Sequence, residues 1–127
     1  MSSLEFAKMY PLAGDPKAYK PGVKTITQGA AGTIDLSKVT EDVVFISMTA
    51  SGATAFNIIN PQPGMTIIIE QNSTGVNNHA ATFTGVTLNV AGNNIATTNA
   101  DDEAIVVFMV SATRGFIVAN NGGVALS

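Results

Sequence analysis

From residue 23 onward, apolar and polar positions alternate in short runs rich in Val, Ile, Thr and Phe, broken by clusters of Gly, Asn and Ser. That is the signature of strands separated by turns. The pattern predicts strands over 23–28, 32–36, 43–50, 54–60, 65–71, 79–84, 86–91, 103–111 and 115–119. Within them Ile26, Ile34/Leu36, Phe56/Ile58, Met65/Ile67/Ile69, Leu88/Val90 and Phe116/Val118 alternate with polar neighbours, as half-buried strands do. No run of period 3.6 is long enough for a helix. Asn60-Pro61-Gln62-Pro63-Gly64 is a loop, because neither proline donates to a ladder. The polar stretch Asn72 to Asn78 reads as a long hairpin loop, and Asn93-Asn94 and Asn120-Asn121-Gly122-Gly123 read as tight turns. No unit recurs at the fixed period a solenoid needs. The expectation is an all-β fold, an antiparallel β-sandwich or jelly-roll-like barrel.

The first 24 residues are a different kind of sequence. They hold Pro11, Pro16 and Pro21, three of the five prolines, and both tyrosines, Tyr10 and Tyr19. Prolines every five residues block a continuous helix or a central strand. Lys8, Lys17, Lys20 and Lys24 against Glu5 and Asp15 give this segment a net charge of +2, whereas residues 25–127 carry −5. The reading is an extended N-terminal arm, 1–24, ahead of a single β-domain, 25–127. Leu4, Phe6, Met9, Tyr10, Leu12 and Tyr19 make the arm too apolar for a solvated tail and are its candidate partner-binding residues.

Composition narrows the chemistry. The 127 residues suit one domain, and with 46% hydrophobic and 12% charged residues the chain can bury a core and is not disordered as a whole. The absence of cysteine removes disulfides, thiolate metal sites and thiol nucleophiles. No apolar run approaches the roughly 18 residues that span a bilayer, and no leader pattern opens the chain, so synthesis in the cytoplasm and no membrane partner are expected. An acidic core without tryptophan argues against a nucleic-acid partner.

His79, the single histidine, cannot build a multi-histidine metal site. No Gly-x-Ser-x-Gly surrounds a nucleophile, so His79 is read as a loop or strand-edge residue making local hydrogen bonds. Asp101-Asp102-Glu103 is the densest acid cluster, but it lacks the alternating spacing and glycine of a calcium loop and reads as a solvated turn. Gly29-Ala30-Ala31-Gly32-Thr33 has no following lysine and is a turn rather than a phosphate loop. The sequon Asn72-Ser73-Thr74 stands without a secretion signal and is read as accidental. Glu41-Asp42 and Glu70 read as solvent-facing charges that discourage edge pairing. No enzymatic constellation, metal site or cofactor is expected. So few charges imply that apolar faces are covered by other copies or a larger assembly.

Gly64-Met65-Thr66-Ile67-Ile68-Ile69-Glu70-Gln71, Ala81-Thr82-Phe83-Thr84-Gly85-Val86, Ala100-Asp101-Asp102-Glu103-Ala104-Ile105-Val106-Val107-Phe108 and Gly115-Phe116-Ile117-Val118 together resemble the β-domains of tailed-bacteriophage virion proteins. The likeness covers about residues 60–119. It implies a structural protein of the virion, and the short chain favours a capsid decoration or head-stabilising protein over a tail fibre. Such a protein would sit on the capsid surface as a homotrimer bound to the major capsid protein, with the arm laid across neighbouring subunits. The alternative is a tail-fibre or receptor-binding domain whose loops at 72–78 and 92–99 contact a host-surface glycan.

Overall fold

β-branched residues crowd the predicted runs, and most of those runs are strands. The computed structural model describes residues 22–74 and 78–127. Its strands are β1 (Val23–Gln28), β2 (Gly32–Asp35), β3 (Val43–Met48), β4 (Thr54–Ile59), β5 (Thr66–Gln71), β6 (His79–Phe83), β7 (Ile95–Thr98), β8 (Ala104–Ser111), β9 (Arg114–Asn121) and β10 (Ala125–Leu126). Among the described residues there is no helix. Two five-stranded sheets, ordered β1-β3-β5-β8-β9 and β10-β7-β6-β4-β2, pack face to face as a sandwich and do not close into a barrel.

The sheets are mixed rather than antiparallel. Successive strands from β1 to β6 alternate between the two sheets, so each of β1 to β4 pairs with the strand two elements later, and both run the same way. Val23 lies opposite Val43 and Val43 opposite Thr66 in one sheet, while Gly32 lies opposite Phe56 and Thr54 opposite His79 in the other. A hairpin joins antiparallel neighbours, whereas parallel neighbours need a crossover. Here the crossover is a visit to the opposite sheet. The chain therefore winds as three stacked coils of 20 to 25 residues, the repeat that the sequence reading set aside. It was hidden because the coils differ in length, so stacked residues such as Ile26, Ile46 and Ile69 do not recur at one fixed period. From β7 onward every strand pairs antiparallel: β7 with β6, β8 with β5, β9 with β8 and β10 with β7.

Stacking sets the core. Ile26, Ile46, Ile69 and Ile105 form one cross-strand row, and Val44, Ile67, Val107 and Ile117 the next. The facing sheet contributes Ile34, Ile58 and Phe83 in one row and Phe56, Ala81 and Ala96 in another. All of these belong to, or pack against, the buried cluster. Alternation puts every second side chain into the gap between sheets, so a whole row is buried or exposed together.

Three local expectations fail for backbone reasons. Residues 86–91 are not a strand. Gly85 (φ 75°) and Gly92 (φ 83°) bracket a turn that closes on itself, with Leu88 N donating to Asn93 O at 2.8 Å, so Val86 and Leu88 plug the core while Val90 points to solvent. Residues 92–99 are not a loop throughout, since β7 lies inside the second sheet between β6 and β10. The 72–78 segment is no hairpin, since it leaves β5 in one sheet and arrives at β6 in the other. β10 has two residues, too few for any pattern to announce.

The packing yields a stability prediction. Ile58→Ala should cost about 2–5 kcal/mol in urea unfolding, as buried large-to-small changes do. A Cβ on Gly115 would meet Val107 Cγ1 at 2.7 Å and Leu88 Cδ2 at 3.1 Å, so Gly115→Ala should cost about 1–3 kcal/mol. Val90→Ala, at a fully exposed position, should stay within about 0.5 kcal/mol. A marginal effect at Ile58 would contradict the row packing.

Candidate functional site

The rows turn polar at one end. Thr54, His79 and Thr98 are register partners across β4, β6 and β7, and on the facing sheet Met48 pairs with Gln71. All five buried polar residues of the described chain, Ser47, Gln71, His79, Thr98 and Glu103, lie at this end. A buried polar group costs stability unless it is hydrogen-bonded, and these find partners. Thr98 Oγ1 donates to Gln71 Oε1 at 2.8 Å, joining the two sheets through the interior. Gln71 Nε2 donates to the Ser73 carbonyl at 3.3 Å.

His79 is wholly buried inside the sheet rather than at an edge or in a loop. Its Nδ1 lies 2.7 Å from Thr54 Oγ1 and its Nε2 lies 3.2 Å from Ser73 Oγ. The Ser73 contact is as local as expected; Thr54 is brought in by the coil. Both ring nitrogens are spent on hydroxyls, among the described residues no carboxylate orients the ring as in a hydrolase triad, and the imidazole is shielded from solvent. The arrangement ties the β5–β6 crossover to the start of β4.

The acid cluster divides. Asp101 and Asp102 are exposed, but Glu103 is buried, not solvated: its Oε1 accepts from Asn99 N at 2.6 Å and Ala100 N at 3.1 Å. It closes the turn that leads into β8. Among the described residues no group of three or more His, Asp or Glu side chains is placed to hold a metal ion. At the opposite end a cleft of about 150 Å³ is lined by Val39, Glu41, Gln62 and Met65 among others. Glu41 is half-buried rather than freely solvated, and its Oε2 there has no hydrogen-bond partner.

The outer face of the first sheet differs in kind. An antiparallel sheet with one solvated face normally presents polar residues to water. Here Phe108, Val110, Phe116 and Val118 are exposed on the β8–β9 hairpin, four of the six exposed large hydrophobics described. Phe108 and Phe116 are direct register partners, and the Arg114 guanidinium sits 4.8 Å above the Phe116 ring. Phe45, Ile68 and Val106, half-buried in one row, carry the apolar face to the middle of the sheet. Phe116 and Val118 thus face outward, while Ile117 turns to the core. The sequence signal was the unbroken apolar run Ala104 to Val110, which supplies both faces of one strand. The arm residues Leu4, Phe6, Met9, Tyr10, Leu12 and Tyr19 all lie outside the described residues. Comparison with protein-family models and with curated proteins returns no match.

The buried imidazole sets a pH dependence. Desolvation holds His79 below its ordinary value of 6.5, so the unfolded chain takes up a proton that the folded chain refuses. The contribution is complete above pH 6.5 and is lost as pH falls from there through the folded value, with a slope of at most about 1.4 kcal/mol per pH unit. The Asn60 amide and the Ser37 backbone hold the Asp35 carboxyl below 3.8, so its contribution is lost only in a more acidic window. His79→Gln should flatten the fall in unfolding free energy between about pH 7 and pH 5. An unchanged slope in the variant would place the titration elsewhere.

Proposed function

We propose that the chain is a structural protein of a phage virion, a capsid decoration protein that cements neighbouring capsomers on the outer surface of the head. The observation that carries this reading is the exposed apolar face of the β8–β9 hairpin, built around the Phe108–Phe116 pair. A face of this kind is an attachment surface: burying two phenylalanines against a partner contributes about 1.5–3 kcal/mol each before ordering costs. The likeness of residues 60–119 to virion β-domains agrees with it, and so does a chain with only 12% charged residues. In this reading the partner is the major capsid protein, copies associate as a homotrimer, and Leu4, Phe6, Met9, Tyr10, Leu12 and Tyr19 of the arm add a second apolar contact. The tail-fibre reading draws less support, because half of its proposed 92–99 glycan loop is the interior strand β7.

Binding to purified particles, scored as co-sedimenting copies, tests the proposal. Phe108→Ser combined with Phe116→Ser should leave a folded protein whose affinity for the particle falls at least about tenfold, the equivalent of roughly 1.4 kcal/mol. Val90→Ser, a lone exposed apolar residue, should bind as the parent does. Full occupancy by the double variant would remove the hairpin face from the attachment surface.

A further inference from the structure

The outward positions of the first sheet form rows that cross all of its strands. Val23, Val43, Thr66, Phe108 and Phe116 make one row, and Thr25, Phe45, Ile68, Val106 and Ala119 the next. None of these residues is charged. Val23 is 61%, Phe108 37% and Phe116 51% exposed, so the first row meets water at both flanks of the sheet.

Charge enters at the two ends of this face, with opposite sign. At one end the third row, Thr27, Ser47, Glu70, Ala104 and Asn121, carries the half-buried Glu70. At the other end the Arg114 guanidinium lies over the outward Phe116 ring, and its Nη1 donates to the Thr87 carbonyl at 3.3 Å, which holds it there. Glu70 is opposite Ala104 and Arg114 opposite Ser111, the first and last residues of β8, so about 24 Å of strand separates the two charges. An apolar centre with a cation at one end and an anion at the other is complementary to itself turned end for end. A two-fold axis in the plane of contact, across the line from Glu70 to Arg114, brings each charge of one copy to the opposite charge of the other and sets the apolar centres face to face.

We propose that in the free protein this face is covered by the same face of a second copy, stacked end for end in such a two-fold pair. A face roughly 24 Å in each direction offers about 600 Å² per copy and about 1,200 Å² for the pair, the lower bound of a stable interface. The pair therefore separates with a dissociation constant on the order of micromolar, and in dilute protein the face is bare. The inference rests on reading this face as the attachment surface and gives it a regulation: the second copy holds the place that the particle takes.

Sedimentation velocity of the full chain over roughly 1–100 μM reads the association. The parent should pass from monomer to dimer. Glu70→Arg alone, or Arg114→Glu alone, sets like charges against each other at both ends and should weaken the dimer at least about tenfold. In an equimolar mixture of the two variants every end contact is again between opposite charges, and a mixed dimer should form about as tightly as the parent's. Val118→Asp, at an exposed position on the same face, tests the surface without touching Arg114 and should be monomeric throughout. A parent that stays monomeric or forms trimers, or a dimer unchanged by Val118→Asp, would overturn the proposal. Failure of the mixture to associate, with both variants unfolding in urea as the parent does, would overturn the end-for-end pairing. Particle binding keeps the two readings apart. A monomeric parent whose Phe108→Ser, Phe116→Ser variant loses the particle would end this inference and leave attachment standing, whereas a dimer broken by Val118→Asp with particle binding indifferent to both phenylalanines would end the attachment reading.

Discussion

The structure depends on one constraint: each strand from β1 to β6 is held by the strand a full coil away, in register, while its sequence neighbour lies across the core. In that geometry a side chain facing inward on one strand has inward partners above and below, so Ile46 is fixed by Ile26 and Ile69, and Ile58 by Ile34 and Phe83. The contacts are long-range by construction, and loop closure must precede the burial that rewards it. The antiparallel strands β7 to β10 then need no coil of their own, since they pair against surfaces already formed.

The same stacking separates two kinds of surface. At one end the register that lines up isoleucines deeper in lines up Thr54, His79 and Thr98, and the buried polar groups bind one another and the turns above them. Satisfied networks of this sort rigidify the loops they hold. The flank of the first sheet is of the other kind: Phe108, Val110, Phe116 and Val118, outward on β8 and β9, are exposed to solvent. A polar interior end and an apolar exterior face invert the usual placement, and the inversion is what directs attention to the hairpin rather than to His79. The proposed attachment follows from that contrast.

Much of the fold was legible in the residues, since eight of the nine expected runs coincide with strands to within a few positions. Period-two alternation records which side chains share a face, and that is a local property. Pairing direction is not local: the alternation of Phe56 and Ile58 is the same in a parallel or an antiparallel ladder, so the coil could not be seen in it. Val86-Thr87-Leu88-Asn89-Val90 alternates as a strand does, but the two flanking glycines let the backbone bond within itself. Burial of Glu103 was equally hidden, because it depends on the turn at 99–102 folding back over the carboxylate. The apolar hairpin face was present in the seven-residue run ending at Val110, whose length alone marks a strand apolar on both sides.

Hydroxyl-radical footprinting of the protein free and bound to its particle reads the proposed attachment surface side chain by side chain. The account predicts that Phe108 and Phe116, labelled in the free protein, lose labelling on the particle, while the polar end at Asn72–Thr74 and Asn99–Asp102 labels equally in both states. Loss of labelling at the polar end with Phe108 and Phe116 unchanged would contradict it.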